Sequence, residues 1–106
     1  AVSVGESALF PAEFALEQNF PNPFNPITTI RFGLPQREAN KRVTLNVYDA
    51  RGRKIRTLVN EEKGPGFYHI AWDGTNESAL GVSSGLYFYR LVVGETTISR
   101  KMLLLK

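Results

Sequence analysis

Residues 86–106 read LYFYRLVVGETTISRKMLLLK, and the fold turns on them. The segment LYFYRLVV is apolar or aromatic at both alternating sets of positions apart from Arg90, which is the pattern of a strand lying centrally in a sheet. GE then turns the chain back, and TTISRKMLLLK forms a last strand that finishes on Met102, Leu103, Leu104 and Leu105. A strand end this apolar is either packed or meets a partner.

Upstream the same period recurs. VTLNVYD alternates Val43, Leu45 and Val47 against Thr44, Asn46 and Tyr48, so one face is expected to be buried. A turn at Gly52 leads into RKIRTLVNEE, carrying Ile55, Leu58 and Val59, and Gly64, Pro65 and Gly66 supply the next turn. In FYHIAW, Tyr68, Ile70 and Trp72 share one face while Phe67, His69 and Ala71 share the other, and DGTN closes the run as an Asx-type turn. With FALEQ and ITTIRFGL added, about seven short strands fill the 106 residues. This count predicts an all-β fold, an immunoglobulin-like antiparallel β-sandwich. Residues 1–13 show no period and are expected to be a linker, with the folded domain at 14–106.

NFPNPFNP, residues 19–26, interrupts the strands with prolines at 21, 23 and 26. Proline donates no ladder hydrogen bond and pushes the residue before it toward extended conformations, so the stretch is predicted to be a rigid extended crossing. Asn22 and Asn25 are expected to tie their own backbone, and Phe20 and Phe24 to plug the sandwich edge.

Composition narrows the class. At 42% hydrophobic and 22% charged residues the chain is a folded domain and not a disordered one. No apolar run approaches the roughly 18 to 20 residues of a spanning helix, so no membrane insertion is expected. Cysteine is absent, which excludes disulfides and thiolate metal sites. The net charge of +3 is uneven: Arg31, Arg37, Lys41, Arg42, Arg51, Arg53, Lys54 and Arg56 face only Glu38 and Asp49 in the same segment. Such a patch suits an anionic glycan or nucleic acid, or is the solvated face of two strands; aromatics are not interleaved with these bases, which speaks against nucleic acid.

The chemistry expected of the chain is non-catalytic. GVSSG, residues 81–85, matches the GxSxG pattern of a nucleophile elbow, but it lies between β segments where the elbow needs a following helix, and His69 precedes Ser83. Asp73, Asn76 and Glu77 could hold a calcium ion, or Asx turns explain the aspartates. No Walker-type phosphate loop is present, and no cofactor is expected. A carbohydrate-binding module would use exposed aromatics, for which Tyr48, Phe67, Trp72, Tyr87 and Phe88 are candidates; a structural spacer would need none.

Taken together, NFPNPFNP with ITTIRFGLP, then VTLNVYDARGRKIRTLVNEEKGPGFYHIAWDGTN, then SSGLYFYRLVVGETTISRKMLLLK resemble the type A C-terminal sorting domain of the bacterial type IX secretion system, from about Leu16 to Lys106. The YDxxGR and WDG motifs are also similar to the immunoglobulin-like part of flagellar hook-capping scaffold proteins. The sorting-domain resemblance implies a module following a secreted cargo. The cargo would be exported to the periplasm, read by the outer-membrane translocon and, in many members, freed by a surface sortase that anchors it to the cell surface. The family's signal elements would fall on Gly85, Tyr87, Tyr89, Arg90, Leu91 and Gly94, and on Lys101, Met102, Leu103, Leu104, Leu105 and Lys106. Beside this, the last strand could offer an edge for a receptor to extend, or could simply close the sandwich.

Overall fold

The computed structural model describes residues 10–36 and 41–106 and contains no α-helix among them. Within these residues the strands are β1 (Ala15–Leu16), β2 (Thr28–Leu34), β3 (Lys41–Asp49), β4 (Lys54–Lys63), β5 (Gly66–Trp72), β6 (Gly85–Val93) and β7 (Thr96–Leu104). They pair antiparallel in two sheets, ordered β1-β2-β5 and β4-β3-β6-β7. This is the expected immunoglobulin-like sandwich, with β6 between β3 and β7 as its two apolar faces required. The expected FALEQ strand is only the two residues of β1.

Period-2 alternation builds the core. Val43, Leu45 and Val47 of β3, Tyr87, Tyr89, Leu91 and Val93 of β6, and Met102 and Leu104 of β7 are buried from one sheet. Leu16, Ile30, Phe32, Leu34 and Trp72 meet them from the other. Trp72 packs edge-on to Tyr87, with ring centroids 5.5 Å apart, and donates its indole N–H to Thr75 O at 2.9 Å. Each such side chain contributes on the order of 1.5–3 kcal/mol by leaving water. Pro11 is also buried, packed where Gly33 has no Cβ, so the packed unit starts before Phe14. The rest of the expected linker, residues 1–9, lies outside the described residues.

The proline-rich stretch departs from the expectation of an extended crossing. It runs through bends at 21–23 and 25–26, and its Phe20–Pro21, Asn22–Pro23 and Asn25–Pro26 peptide bonds are cis. Phe20 pairs with Thr29, and Phe24 forms a parallel bridge to Leu104. Phe24 is the plug: it is buried with its ring 5.7 Å from that of Trp72. Phe20 is not, since it is 68% exposed. Asn22 does not tie its own backbone; its Oδ1 accepts from Leu103 N at 2.9 Å. Phe24 N donates to Leu103 O and Leu105 N donates to Phe24 O, both at 3.0 Å, while Gln18 Nε2 donates to Lys101 O at 2.7 Å. The stretch therefore acts as a short extra strand on the outer edge of β7.

Turn chemistry sets the remaining connections. Asp49 Oδ1 accepts from the backbone of Arg51 and Arg53, each at 2.9 Å, and closes the β3–β4 turn. Asp73 Oδ1 accepts from Thr75 Oγ1 at 2.5 Å and Thr75 N at 3.2 Å. The loop that follows folds onto β4, where Glu77 Oε1 accepts from Thr57 N at 2.5 Å and Glu77 N donates to Ile55 O at 3.2 Å. Asn76 Oδ1 accepts from Ser78 N and Leu80 N. The oxygens considered for calcium are thus turned to separate partners, and among the described residues no group of three acidic or histidine side chains converges.

Two consequences can be measured. Phe24→Ala removes the plug and leaves a cavity beside Trp72, so urea denaturation should show a loss of about 3–5 kcal/mol. The hydrogen bonds from Thr75 hold the Asp73 carboxyl below its ordinary value of 3.8, and those from Arg53 lower Asp49 likewise. A carboxylate depressed in the folded state stabilises above the unfolded value, and that contribution is lost as pH falls through the folded one. Thermal melts should therefore be insensitive to these groups between about pH 5 and 7 and should drop below about pH 4. Asp73→Asn, which keeps the Asx acceptor, should make that drop shallower.

Candidate recognition surface on strands β6 and β7

The residues singled out in the sequence divide into two sets by the side of the sheet they occupy. Tyr87, Tyr89, Leu91, Met102 and Leu104 point inward and are at most 5% exposed. They are core residues. The Tyr89 hydroxyl donates to Glu17 O at 2.6 Å and accepts from Asn19 N at 2.8 Å, pinning the segment after β1 onto β6. Burial raises the Tyr89 phenol above its ordinary value. The Tyr87 hydroxyl donates to Ser83 O at 2.7 Å.

The glycines in the set are conformational. Gly94 has φ +59° at the first position of a two-residue Gly94–Glu95 turn between Val93 and Thr96, as a type II′ hairpin requires. Gly85 starts β6 at φ +153°, a conformation that side chains disfavour.

Arg90, Lys101, Leu103, Leu105 and Lys106 are exposed. Across the β6–β7 ladder, Leu86 pairs with Leu103, Phe88 with Lys101 and Arg90 with Ser99, all on the outer face. On the other side of β6, Phe88 pairs with Tyr48. Arg90 lies over the Tyr48 ring, its guanidinium carbon 4.9 Å from the centroid, and its Nε donates to Ser99 Oγ at 3.3 Å. Two adjoining hollows in this face share Phe88 and Ser99; one adds Tyr48, Arg51 and Arg90, the other Gln18, Leu86 and Lys101.

This arrangement sorts the aromatic candidates. Trp72 and Tyr87 are core, a correction of their proposed role as exposed platforms, because both face the opposite sheet. Tyr48 and Phe88 are half-buried on the outer face, and Phe67 is 62% exposed on the three-stranded sheet. Leu86 and Ser99 were not singled out from the sequence, although the outward phase of Arg90 and Lys101 predicts them.

The basic segment does not form one patch. Arg53 is 2.9 Å from Asp49 and Arg56 is 3.7 Å from Asp73. Arg42 donates to Asn60, and Arg31 sits on the three-stranded sheet. Arg37 lies outside the described residues. His69 is exposed on β5 and makes no hydrogen bond to Ser83, whose carbonyl is taken by Tyr87.

The edge of β7 is covered between Lys101 and Leu105 by Gln18, Asn22 and Phe24. Strand addition along that half would have to displace the chain's own proline-rich segment. What this half of β7 offers is its outer side-chain face.

A family model described as the FlgD Ig-like domain matches residues 25–97. No curated protein matches the chain. Among solved structures it is similar to dimeric latent PorU from Porphyromonas gingivalis at 23% identity and TM-score 0.69, over 90% of this chain and 10% of that one. It is also similar to PorZ, an essential bacterial surface component of the type IX secretion system of P. gingivalis, at 18% identity and TM-score 0.56, over 87% of this chain and 12% of that one. FlgD from P. aeruginosa matches at 21% identity and TM-score 0.51, over 74% of this chain and 59% of that one. At these identities the likeness is one of fold.

Tyr89→Phe tests the assignment of the inward set to the core. It leaves the buried Asn19 N–H without its acceptor, and should destabilise by about 1–3 kcal/mol in urea denaturation without changing the far-ultraviolet spectrum.

Proposed function

The chain belongs to the FlgD Ig-like domain family, and from that premise we propose that it is a non-catalytic sorting domain that directs an attached cargo across the outer membrane by type IX secretion. The observation that carries this reading is the likeness to PorZ, a type IX component, over 87% of this chain but 12% of PorZ. A fold that recurs as a small part of a far longer protein suits an appended module. The sorting-domain motifs noted in the sequence support the same assignment.

On this reading the cargo precedes the domain, passes through the periplasm and reaches the cell surface or the medium. The translocon is the direct partner, and a surface sortase acts on members whose domain is removed. The division of the signal elements suggests how the domain is read. The inward tyrosines and leucines and the two glycines hold the sandwich in shape, and the translocon engages Lys101, Leu103, Leu105 and Lys106, which the fold leaves exposed. No catalytic group is required of the domain itself.

The structure dictates which variant tests this. Deleting the segment from Lys101 onward would remove Met102 and Leu104, which are core, and so would confound recognition with unfolding. Lys101→Glu combined with Leu103→Glu alters only exposed positions. The full chain, placed behind an export signal and a fluorescent cargo in a type IX-competent bacterium, should carry the cargo to the surface or medium. The double variant, with an unchanged thermal melt, should leave most of it in the periplasm. Retention of the unaltered fusion in the periplasm, beside a working control cargo, would replace sorting with a spacer role.

A further inference from the structure

Tyr48, Arg51, Phe88, Arg90 and Ser99 line one hollow on the outer face of the four-stranded sheet, next to Lys101 but lined by none of the four residues used in the proposed function. We propose that this hollow is a binding site for an acidic sugar, a pyranose carrying a carboxylate, within an anionic polysaccharide.

The charge argument comes first. The other described arginines of the basic segment are spent on Asp49, Asp73 or Asn60, or lie on the opposite sheet. Among the described residues, neither Arg51 nor Arg90 has a carboxylate partner for its guanidinium, and no carboxylate lines the hollow. Arg90 is nonetheless held in place, by the Tyr48 ring beneath it and by Ser99 Oγ. A guanidinium already ordered loses less entropy when it binds an anion, and its planar fork matches a carboxylate.

The hydrogen-bonding groups lean the same way. Tyr48 OH accepts from Asn46 Nδ2 at 3.3 Å, which leaves its own proton to donate. Ser99 Oγ accepts from Arg90 and is left with its proton in the same manner. The hollow therefore presents guanidinium and hydroxyl donors, a set that wants a ligand rich in acceptor oxygens. Phe88, half-buried in the middle, adds an apolar ring against which the C–H face of a pyranose can lie. An acidic sugar combines that apolar face with hydroxyl and carboxylate oxygens in one unit.

The layout disfavours nucleic acid. Tight binding to a strand needs a long run of cations following the phosphates, and here Arg51 and Arg90 stand in one hollow with Lys101 in the next, Arg100 is bonded to Leu16 O, and the rest of the basic segment is dispersed.

Calorimetric titration of the full chain with trigalacturonate, maltotriose, oligothymidylate and polyglutamate tests the proposal. Trigalacturonate should bind saturably and more weakly as salt is raised. Arg90→Gln and, separately, Arg51→Gln should each weaken it by about tenfold or more. Both variants alter exposed side chains, and thermal melts check that they remain folded. In the unaltered chain, amide shifts on adding trigalacturonate should cluster at Tyr48, Phe88, Arg90 and Ser99. The proposal is overturned if trigalacturonate does not bind, if maltotriose binds as well, or if both variants bind it undiminished. Tighter binding of oligothymidylate or polyglutamate would also overturn it, in favour of a nucleic acid or an acidic peptide.

Discussion

The sandwich depends on the capture of one residue, Phe24, between the two sheets. Its ring is buried against Trp72, its backbone N–H is bonded to Leu103 of β7, and its C=O to Leu105 just after that strand. A proline-rich segment cannot form a regular ladder, because each proline lacks a donor. Here the donors that matter belong to Phe24 and to β7 itself, and Asn22 contributes a side-chain acceptor where a backbone carbonyl would otherwise serve. A stretch that looks like an interruption between strands is in effect an edge cap.

That cap has a functional consequence. An exposed edge strand invites pairing with other chains, and a covered one does not. β7 is covered at its downstream half by residues that precede β2, so the same contact that closes the sandwich also removes the simplest mode of recognition. What remains available is a side-chain face, on which Leu86 and Leu103, Phe88 and Lys101, and Arg90 and Ser99 stand as neighbouring pairs. The two proposals use different residues of that face, neighbours through the Phe88–Lys101 pair.

β6 shows why motif residues and contact residues differ. Its sequence places tyrosines and Leu91 on one side and Leu86, Phe88 and Arg90 on the other. The inward tyrosines are the more distinctive letters, and the structure uses them to join segments: Tyr89 holds the chain after β1 and Tyr87 holds the loop before β6. The outward residues are less distinctive, and it is they that meet solvent.

The strands, their two alternating sets and their turns follow from local physics, and so were legible in the sequence. A period of two needs only the pleat, Gly94 needs only its turn, and Asp49 and Asp73 bond to amides two residues away. Alternation also separates Tyr48 from Val47 and Phe88 from Tyr87. What it does not say is which set of an aromatic strand faces inward when both are apolar, and so Trp72 and Tyr87 stood beside Tyr48 and Phe88 as equal candidates. Only packing decided that, because burial belongs to the sheet that lies opposite. The covering of β7 by Gln18 and Asn22, and the dispersal of the basic segment onto Asp49, Asp73 and Asn60, likewise rest on contacts between residues brought together by the fold. Gln18 and Lys101 are 83 positions apart, a separation at which no pattern in the chain announces a partner.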